Sequence, residues 1–556
     1  MSAGQRIVFG ALILVVAYLV LVPIAALVLG SLRDQPPGFP GAFTLRNFAE
    51  VVHTPRTLVL LRQSFIFAAT ASLIAFALGT FLAWIVERTN TPGTNLIFLA
   101  TVLPLYAPTV LLTLAWTLLL NPNSGAINVI LKQLLDSTSP LFNIYSMGGM
   151  IWVRSLLDVP LAFLWMSPIF RTMDVQYEEA AHICGASRTR VFLDITLPLA
   201  TPAVVATLLI TFVAAIEDLA VPLFIGIPGK AFVLSSEIFL ATMSVPSNIN
   251  VASAYGIILL LVTIAAMSLY LRLTAHSERF VTVTGKGYRA KQTDLGLFKY
   301  ATLVGAVVLL FVVALVPTLI LLWTAFVPFS QIPTLGGLTK LTTKNFFDLL
   351  QLSMTRRALM DSALLGVSTG ILVMIMTALI AWLLTRTRTK GRNLIDSLAT
   401  LPLAVPGIVV GVGLLWVYLP LRIPIYATLW ILLIAYVTRF IPYGLRILKP
   451  AFNQLHPELE EAAQVAGASW GRVFRSVSLP LILPAILSGL IFVFVRAFRE
   501  LPSSMFLTHL RTEVFSVTLY NMWQSGQVEM AAALGVLSLV ILGGVTLFVR
   551  ILVPRW

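Results

Sequence analysis

The chain has almost no cysteine and very little charge. Cys184 is its single cysteine in 556 residues, so an intrachain disulfide and a cysteine-based metal cage are both excluded. Charged residues make up 11% of the chain, against about 25% in an ordinary soluble domain. A phosphate-binding loop is missing too. Gly226-Ile-Pro-Gly-Lys230 has the wrong spacing for one and is followed by Ala231, so no ATP hydrolysis through such a loop is expected of this chain. The five histidines, His53, His182, His276, His456 and His509, are scattered and form no His-x-x-x-His pair. No metal site and no catalytic residue is expected, and a membrane-embedded enzyme lacks the clustered His, Asp or Glu constellation it would need.

What is present is apolar sequence. Hydrophobic residues are 58% of the chain and its mean hydropathy is +0.94; soluble domains run at about 45–50% apolar. A helix needs roughly 20 apolar residues to cross a bilayer. Twelve such runs lie near 7–29, 65–86, 96–120, 156–170, 200–223, 252–271, 301–326, 362–384, 394–418, 427–446, 481–506 and 530–552. The fourth is short and carries Pro160. Transmembrane strands would be about 10 residues long with period-two alternation, which these runs do not show. The expected fold is an all-α polytopic membrane protein with about twelve spans. The first run is longer than the apolar core of a signal peptide, and its Val22-Pro23 recurs as Val316-Pro317, so it reads as an uncleaved helix.

The net charge of +14 would suggest nucleic acid in a soluble chain. Here it follows from the concentration of Lys and Arg in cytoplasmic loops, and no nucleic-acid partner is expected. With both termini inside, the inside segments carry the larger share of the basic residues. The segments 272–299 and 386–392 and the loop holding Arg472 and Arg475 contribute most.

The chain is duplicated. Leu45-Arg-Asn47-Phe48 recurs as Thr343-Lys-Asn345-Phe346. Ala83-Trp84, Arg88-Thr89 and Gly93 recur as Ala381-Trp382, Arg386-Thr387 and Gly391, and Leu103-Pro104-Leu105-x-x-Pro108 as Leu401-Pro402-Leu403-x-x-Pro406, all offset by 298 positions. Further on the offset is 282. The first half is therefore the longer, mostly in the outside loop around 121–148. An even number of spans per half gives both halves one orientation, related by an axis along the membrane normal, with a pathway between them as the natural reading. The expected domains are a first transmembrane helix and outside loop (1–57), a first membrane domain (58–272), a cytoplasmic linker (273–300), a seventh helix and outside loop (301–357) and a second membrane domain (358–552).

The inside loop between the fourth and fifth spans of each half is patterned beyond the needs of a connection. One copy runs Tyr177-Glu178-Glu179-Ala180-Ala181-His-Ile-Cys-Gly185, the other Leu459-Glu460-Glu461-Ala462-Ala463-Gln-Val-Ala-Gly467. Acidic residues suit a first helical turn, small alanines allow close approach, and the glycine stops or bends the helix. A surface helix that merely caps the bundle would explain one copy. Two gap-free copies point to a short helix built to dock in a partner's groove.

Glu179-Ala180-Ala181, Gly185, Ile195 and Leu197-Pro198, with Glu461-Ala462-Ala463, Gly467, Val477 and Leu479-Pro480, resemble the loop motif of permeases of binding-protein-dependent ABC importers. Val477 in place of isoleucine is the one departure. The resemblance covers 60–271 and 360–552 and implies a type-1 permease core in each half. It further implies two copies of a cytoplasmic ABC ATPase subunit, which carry ATP and Mg, and an extracytoplasmic solute-binding protein; the chain itself holds no cofactor. Glu178, Glu179, Ala180, Ala181 and Gly185, with Glu460, Glu461, Ala462, Ala463 and Gly467, are the expected ATPase-coupling residues. Glu179 and Glu461 are expected at the contact itself. The location implied is the inner membrane.

Charges inside a span cost about 2.5–3.5 kcal/mol on insertion scales. Glu217 and Asp218 lie in the fifth span and Arg496, Arg499 and Glu500 in the eleventh, with Asp218 and Glu500 at the same repeat position. Arg496 and Glu500, four apart, can pair on one helix face. They read as a charged ring on the path or gate, or as wetted residues at the outer helix ends. Pro104, Pro108, Pro402 and Pro406 are expected to kink the third and ninth spans, either shaping the pathway or packed as ordinary kinks. Glu217-Asp218-Leu-Ala-Val-Pro222 and Arg499-Glu500-Leu501-Pro502 resemble the ferric-iron branch of these permeases, so iron is the expected cargo. Related permeases for thiamine, aminoethylphosphonate, phosphorylated sugars or polyamines are the alternatives. An ion-gradient secondary transporter, the other two-half class, has no ATPase to dock.

Overall fold

The computed structural model of the chain describes residues 3–173, 176–274, 293–387, 390–421, 423, 425–509 and 511–552. Most of the expected linker, 275–292, lies outside the described residues. The protein is all-α and polytopic. Among the described residues, ten helices are long and apolar enough to cross a bilayer, and two bent helix pairs bring the number to twelve if each pair is one span. The first six are Ala3–Ser31, Pro55–Arg88, the pair Thr94–Tyr106 and Thr109–Leu120, Met147–Thr172, Leu197–Ile216 and Ile249–Thr274. The second six are Phe298–Phe326, Ser353–Arg386, the pair Arg392–Ala404 and Gly407–Tyr418, Leu429–Gln454, Leu479–Phe498 and Val528–Leu552.

Several of these differ from the apolar runs for physical reasons. The fourth span starts at Met147, not near 156, with the Ser146 hydroxyl accepting the Gly149 N–H at 3.0 Å as its cap. Its first turns hold Arg154 and Asp158, which depress the hydropathy although they pair with each other. Pro160 lies inside the helix without ending it. The third and ninth spans are broken rather than kinked, by 101° and 107°. Each break falls where a proline follows a residue driven to extended backbone, Ala107 before Pro108 and Val405 before Pro406. The eleventh span stops at Phe498 rather than running to 506, and the fifth stops at Ile216 rather than 223.

Proline also widens three helices. The π-turns 192–196, 311–315 and 474–478 each precede a proline by two residues: Pro198, Pro317 and Pro480. A proline cannot donate to the carbonyl four residues back, so that turn relaxes to wider bonding.

The chain divides into two compact units. One comprises Met1–Thr54, Glu237–Leu260 and Phe346–Trp556; the other comprises Pro55–Ser236 and Leu261–Asn345. The first span is thus grouped with the second repeat and the seventh with the first. Within the first-named unit, the first span lies along the ninth. The Tyr18 and Tyr418 hydroxyls bond at 2.7 Å, and Gly413 approaches so closely that a β-carbon there would sit 2.3 Å from the Pro23 carbonyl oxygen. Small residues permit such contacts in lipid, where no hydrophobic drive presses helices together. Within the other unit, Thr302 of the seventh span bonds Thr91 at 2.8 Å, and Gly79 of the second lies against Val159 and Ala162 of the fourth. Thr293 pairs with Thr89 in an isolated bridge, and Asn90 donates to Asp294 at 2.5 Å. The Gly296 N–H and the Asn90 amide hold the Asp294 carboxyl below its ordinary range. Of the ten unbroken spans the fourth and tenth are the most buried, while the first and seventh turn Leu14, Val304 and their neighbours outward, toward lipid.

The repeated Asn47 and Asn345 have a plain role. Asn47 Nδ2 donates to the Ser31 and Arg33 carbonyls at 2.8 and 2.7 Å, and Asn345 Nδ2 to those of Ala325 and Val327 at 2.9 and 2.7 Å. Each asparagine satisfies two carbonyls left free where a span ends. Asn345→Ala is expected to cost about 1–3 kcal/mol for the orphaned acceptors, read as a lowered thermal midpoint of the detergent-solubilised protein.

Candidate functional site

The two patterned loops fold alike. Gln176–Ile183 and Pro457–Val465 are short helices, followed by Arg188–Val191 and Trp470–Val473. Pro457 stands in the first turn, where its missing N–H costs nothing, and Glu458 and Glu460 face the positive end of the helix dipole. Gly185 and Gly467 end the helices at φ +84° and +87°, left-handed backbone that glycine adopts without strain. In the second copy Ala468 N–H bonds the Ala463 carbonyl at 3.0 Å and Gly467 N–H that of Gln464 at 2.9 Å, the double closure of a glycine-terminated helix. In the first, Ala186 N–H bonds Ala181 at 2.9 Å.

The two glutamates of the second loop part company. Glu461 is exposed with Ala462, whereas Glu460 is only 5% exposed. Its carboxylate accepts the Ser478 hydroxyl at 2.8 Å and the Trp382 indole N–H at 3.3 Å, and lies 3.4 Å from the Arg386 Nε. The side chains of Glu178 and Glu179 lie outside the described residues. Apolar side chains stand out at matching repeat positions: Tyr177 and Leu459 are half exposed, Ile183 and Val465 are 87% and 89% exposed.

Asp218 and Glu500 are buried, while Glu217, Arg496 and Arg499 are half-buried. In one unit Arg154 binds Asp158 through two bonds, at 2.8 and 2.5 Å, and reaches Asp218 at 3.1 Å. The other Asp218 oxygen accepts the Val221 N–H at 2.9 Å. In the other unit Arg439 pairs with Glu500, whose same oxygen accepts the Ser503 N–H at 3.2 Å and hydroxyl at 2.9 Å. The expected Arg496–Glu500 pair is not formed. The helix stops at Phe498, so the four-residue spacing no longer places the two groups together. Arg496 instead donates to the Tyr443 hydroxyl at 2.9 Å and lies over its ring.

Both acids perform one task. Each sits just past the end of its span and satisfies N–H groups of the turn leading into a second short segment, Pro222–Gly226 or Ser504–Leu507. Each draws its cation from the preceding span, but from different positions. Tyr436 occupies the repeat position of Arg154, and Arg439 stands three residues later, almost one turn on. Tyr436 has become a partner of Ser504 at 2.7 Å. Arg439 also lies on the bend of the ninth span: a β-carbon at Gly407 would come within 2.0 Å of its guanidinium. Pro104 and Pro402 start short 3-10 turns, and Pro108 and Pro406 open the second arms of the bent spans. Arg154, Asp158 and Arg439 escaped the sequence reading as site residues, although Arg154 and Asp158 carry the four-residue spacing of a helical ion pair.

Removing one member of a buried pair costs about 3–5 kcal/mol because the other is stranded. Glu500→Ala is expected to lower the thermal midpoint and the yield of folded protein. Arg439→Leu added to it should recover most of the loss, whereas Arg496→Ala added to it should recover none. Fluorescence-detected size-exclusion after a heat challenge checks this.

The model of the family described as "Binding-protein-dependent transport system inner membrane component" matches residues 75–283 and 370–556. Relatives run the length of the chain. It is 25% identical to the "Ferric transport system permease protein FbpB" of Actinobacillus pleuropneumoniae over 99% of this chain and 78% of that one. With the "Fe(3+)-transport system permease protein FbpB 2" of Haemophilus influenzae it shares 23% over 91% of this chain and 92% of that one. A shorter match, 34% identical over 28% of this chain and 61% of the relative, is to the "Sulfate transport system permease protein CysT" of Salmonella typhimurium. Matched twice, over most of its length, the chain belongs to the family of binding-protein-dependent transport system inner membrane components, as a fused permease with two copies of the domain.

Proposed function

We propose that this ABC importer permease carries ferric iron across the inner membrane, with both termini cytoplasmic, driven by two copies of a separate ATPase that hold ATP and Mg. The permease is not itself an enzyme. The observation that carries the iron reading is that two relatives named for ferric transport align with more than nine-tenths of the chain, whereas the sulfate relative aligns with less than a third. An extracytoplasmic binding protein hands over the cargo. Both oxygens of Asp218 and the Oε1 of Glu500 are engaged by guanidinium, backbone N–H and hydroxyl groups. In this reading Glu217, Asp218, Arg496, Arg499 and Glu500 act on the path through the segments they position, not as open ligands for the metal.

The motor contact is the exposed face of each loop helix. Tyr177, Ala180 and Ile183 recur as Leu459, Ala462 and Val465, three residues apart in each case, and all are exposed. Such a row of apolar and small side chains suits a groove, with the exposed Glu461 beside it in the second copy for a basic partner. Gly185 and Gly467 fix where the helix ends.

Two measurements test this. Ile183→Asp with Val465→Asp is expected to cut capture of the ATPase on the tagged permease at least about tenfold, a loss of roughly 1.4 kcal/mol or more, without changing the yield of folded chain; unchanged capture would remove the docking assignment. In proteoliposomes holding permease and ATPase, with binding protein outside the permease's binding face, radiolabelled ferric iron should accumulate only with ATP. Accumulation of thiamine, aminoethylphosphonate, a phosphorylated sugar or a polyamine in place of iron would reassign the cargo. Uptake by the permease alone, driven by an ion gradient, would point to a secondary transporter.

A further inference from the structure

Glu460 belongs to the loop helix by sequence but not to its exposed face. Its carboxylate is turned inward and shared among three groups: the Ser478 hydroxyl at the start of the eleventh span, the Trp382 indole N–H in the last turns of the eighth, and the Arg386 guanidinium at the end of the eighth. Arg386 reaches further. Its Nη2 donates to the carbonyls of Phe452 and Leu455 at 3.1 and 2.8 Å, where the tenth span ends. One carboxylate therefore ties the loop helix to the eighth and eleventh spans directly and to the tenth through a single side chain. The Trp382 ring also packs on Trp470, with centroids 5.1 Å apart, and the Arg386–Glu460 pair is largely buried, so it is poorly screened.

The duplication repeats the whole constellation. Trp84, Arg88, Glu178 and Thr196 stand where Trp382, Arg386, Glu460 and Ser478 stand in the second half. Arg88 donates to the Met173 carbonyl at 3.4 Å, and Met173 is the repeat counterpart of Leu455. A helix docked on a motor can move the spans only if it is held to them. The exposed residues cannot do this, and the inward face of the helix offers a single charged anchor, Glu460.

We propose that Glu460 is a positioning residue that carries motion of the docked loop helix to the eighth, tenth and eleventh spans, and that it does not itself touch the ATPase. This rests on the loop helices being the motor contact. Loss of Glu460 accordingly separates two things that loss of Glu461 does not: attachment of the ATPase and its control by the loaded binding protein.

The test uses the full complex of permease, ATPase and binding protein in proteoliposomes. It compares Glu460→Gln, which keeps the side chain's size but not its charge, with Trp382→Phe, which removes one donor and keeps the ring, and with Glu461→Ala. Glu460→Gln is expected to capture the ATPase within about twofold of the parent, yet to lose about tenfold in stimulation of hydrolysis by loaded binding protein and in solute moved per ATP. Trp382→Phe should show the same split, more mildly, and decides the matter if Glu460→Gln does not fold. Glu461→Ala should lose capture. Full stimulation in both Glu460→Gln and Trp382→Phe would overturn the proposal, as would loss of capture in Glu460→Gln matching that in Glu461→Ala. If Ile183→Asp with Val465→Asp leaves capture intact, the docking reading fails, and the proposal fails with it for that separate reason.

Discussion

A bilayer offers no water to a backbone group or a charge that loses its partner, and four spans of this chain break or end early. The fifth and eleventh spans stop at Ile216 and Phe498, and the third and ninth turn through about a right angle at Pro108 and Pro406. Every such break frees carbonyls at the end of one segment and N–H groups at the start of the next. Asp218 and Glu500 answer the N–H groups with a side-chain carboxylate, and the carboxylate then needs a cation. Arg154 and Arg439 supply it from the neighbouring span. Helix break, acid and base are one requirement met in three steps, and the irregular segments of the permease core follow from it.

The two halves show how far that requirement is tied to position. The acid is held at one place in both repeats, because the N–H groups it caps are fixed by where the span ends. The base is free to move along the adjacent helix by nearly a turn, since a guanidinium on a long stem reaches the same point from either site. What replaces Arg154 in the second half, Tyr436, is not idle: it bonds Ser504 in the same turn. Repeat symmetry is kept where geometry demands it and relaxed where reach allows.

Composition and pattern were enough for the architecture. Low charge and the count of apolar runs yield the helical class, and the paired motifs yield the duplication; Asn47 and Asn345, noticed only as a repeat, turn out to end a span each. The loop helices and their glycine stops could also be read in advance. What could not be read came from two sources. Hydropathy averages over charges without asking whether they pair, so Arg154 and Asp158 hid the first turns of the fourth span. A window of apolar residues likewise runs straight across a proline that turns the chain by 101°. The expected Arg496–Glu500 pair failed for a related reason, since four-residue spacing has meaning only while the helix continues.

Glu460 and Glu461 set the limit of motif reading most sharply. Adjacent on a helix, they point about 100° apart, so one faces solvent and the other the protein. A repeat in sequence marks both as retained and assigns neither a direction. The direction comes from Ser478, Trp382 and Arg386, which lie on two other spans and converge only when the chain is folded. On the proposed reading the loop has two faces with opposite chemistry: an apolar, shallow one for the motor and a charged, buried one for the spans. In the second loop the two consecutive glutamates divide between these faces, Glu460 within the buried one and Glu461 beside the apolar row.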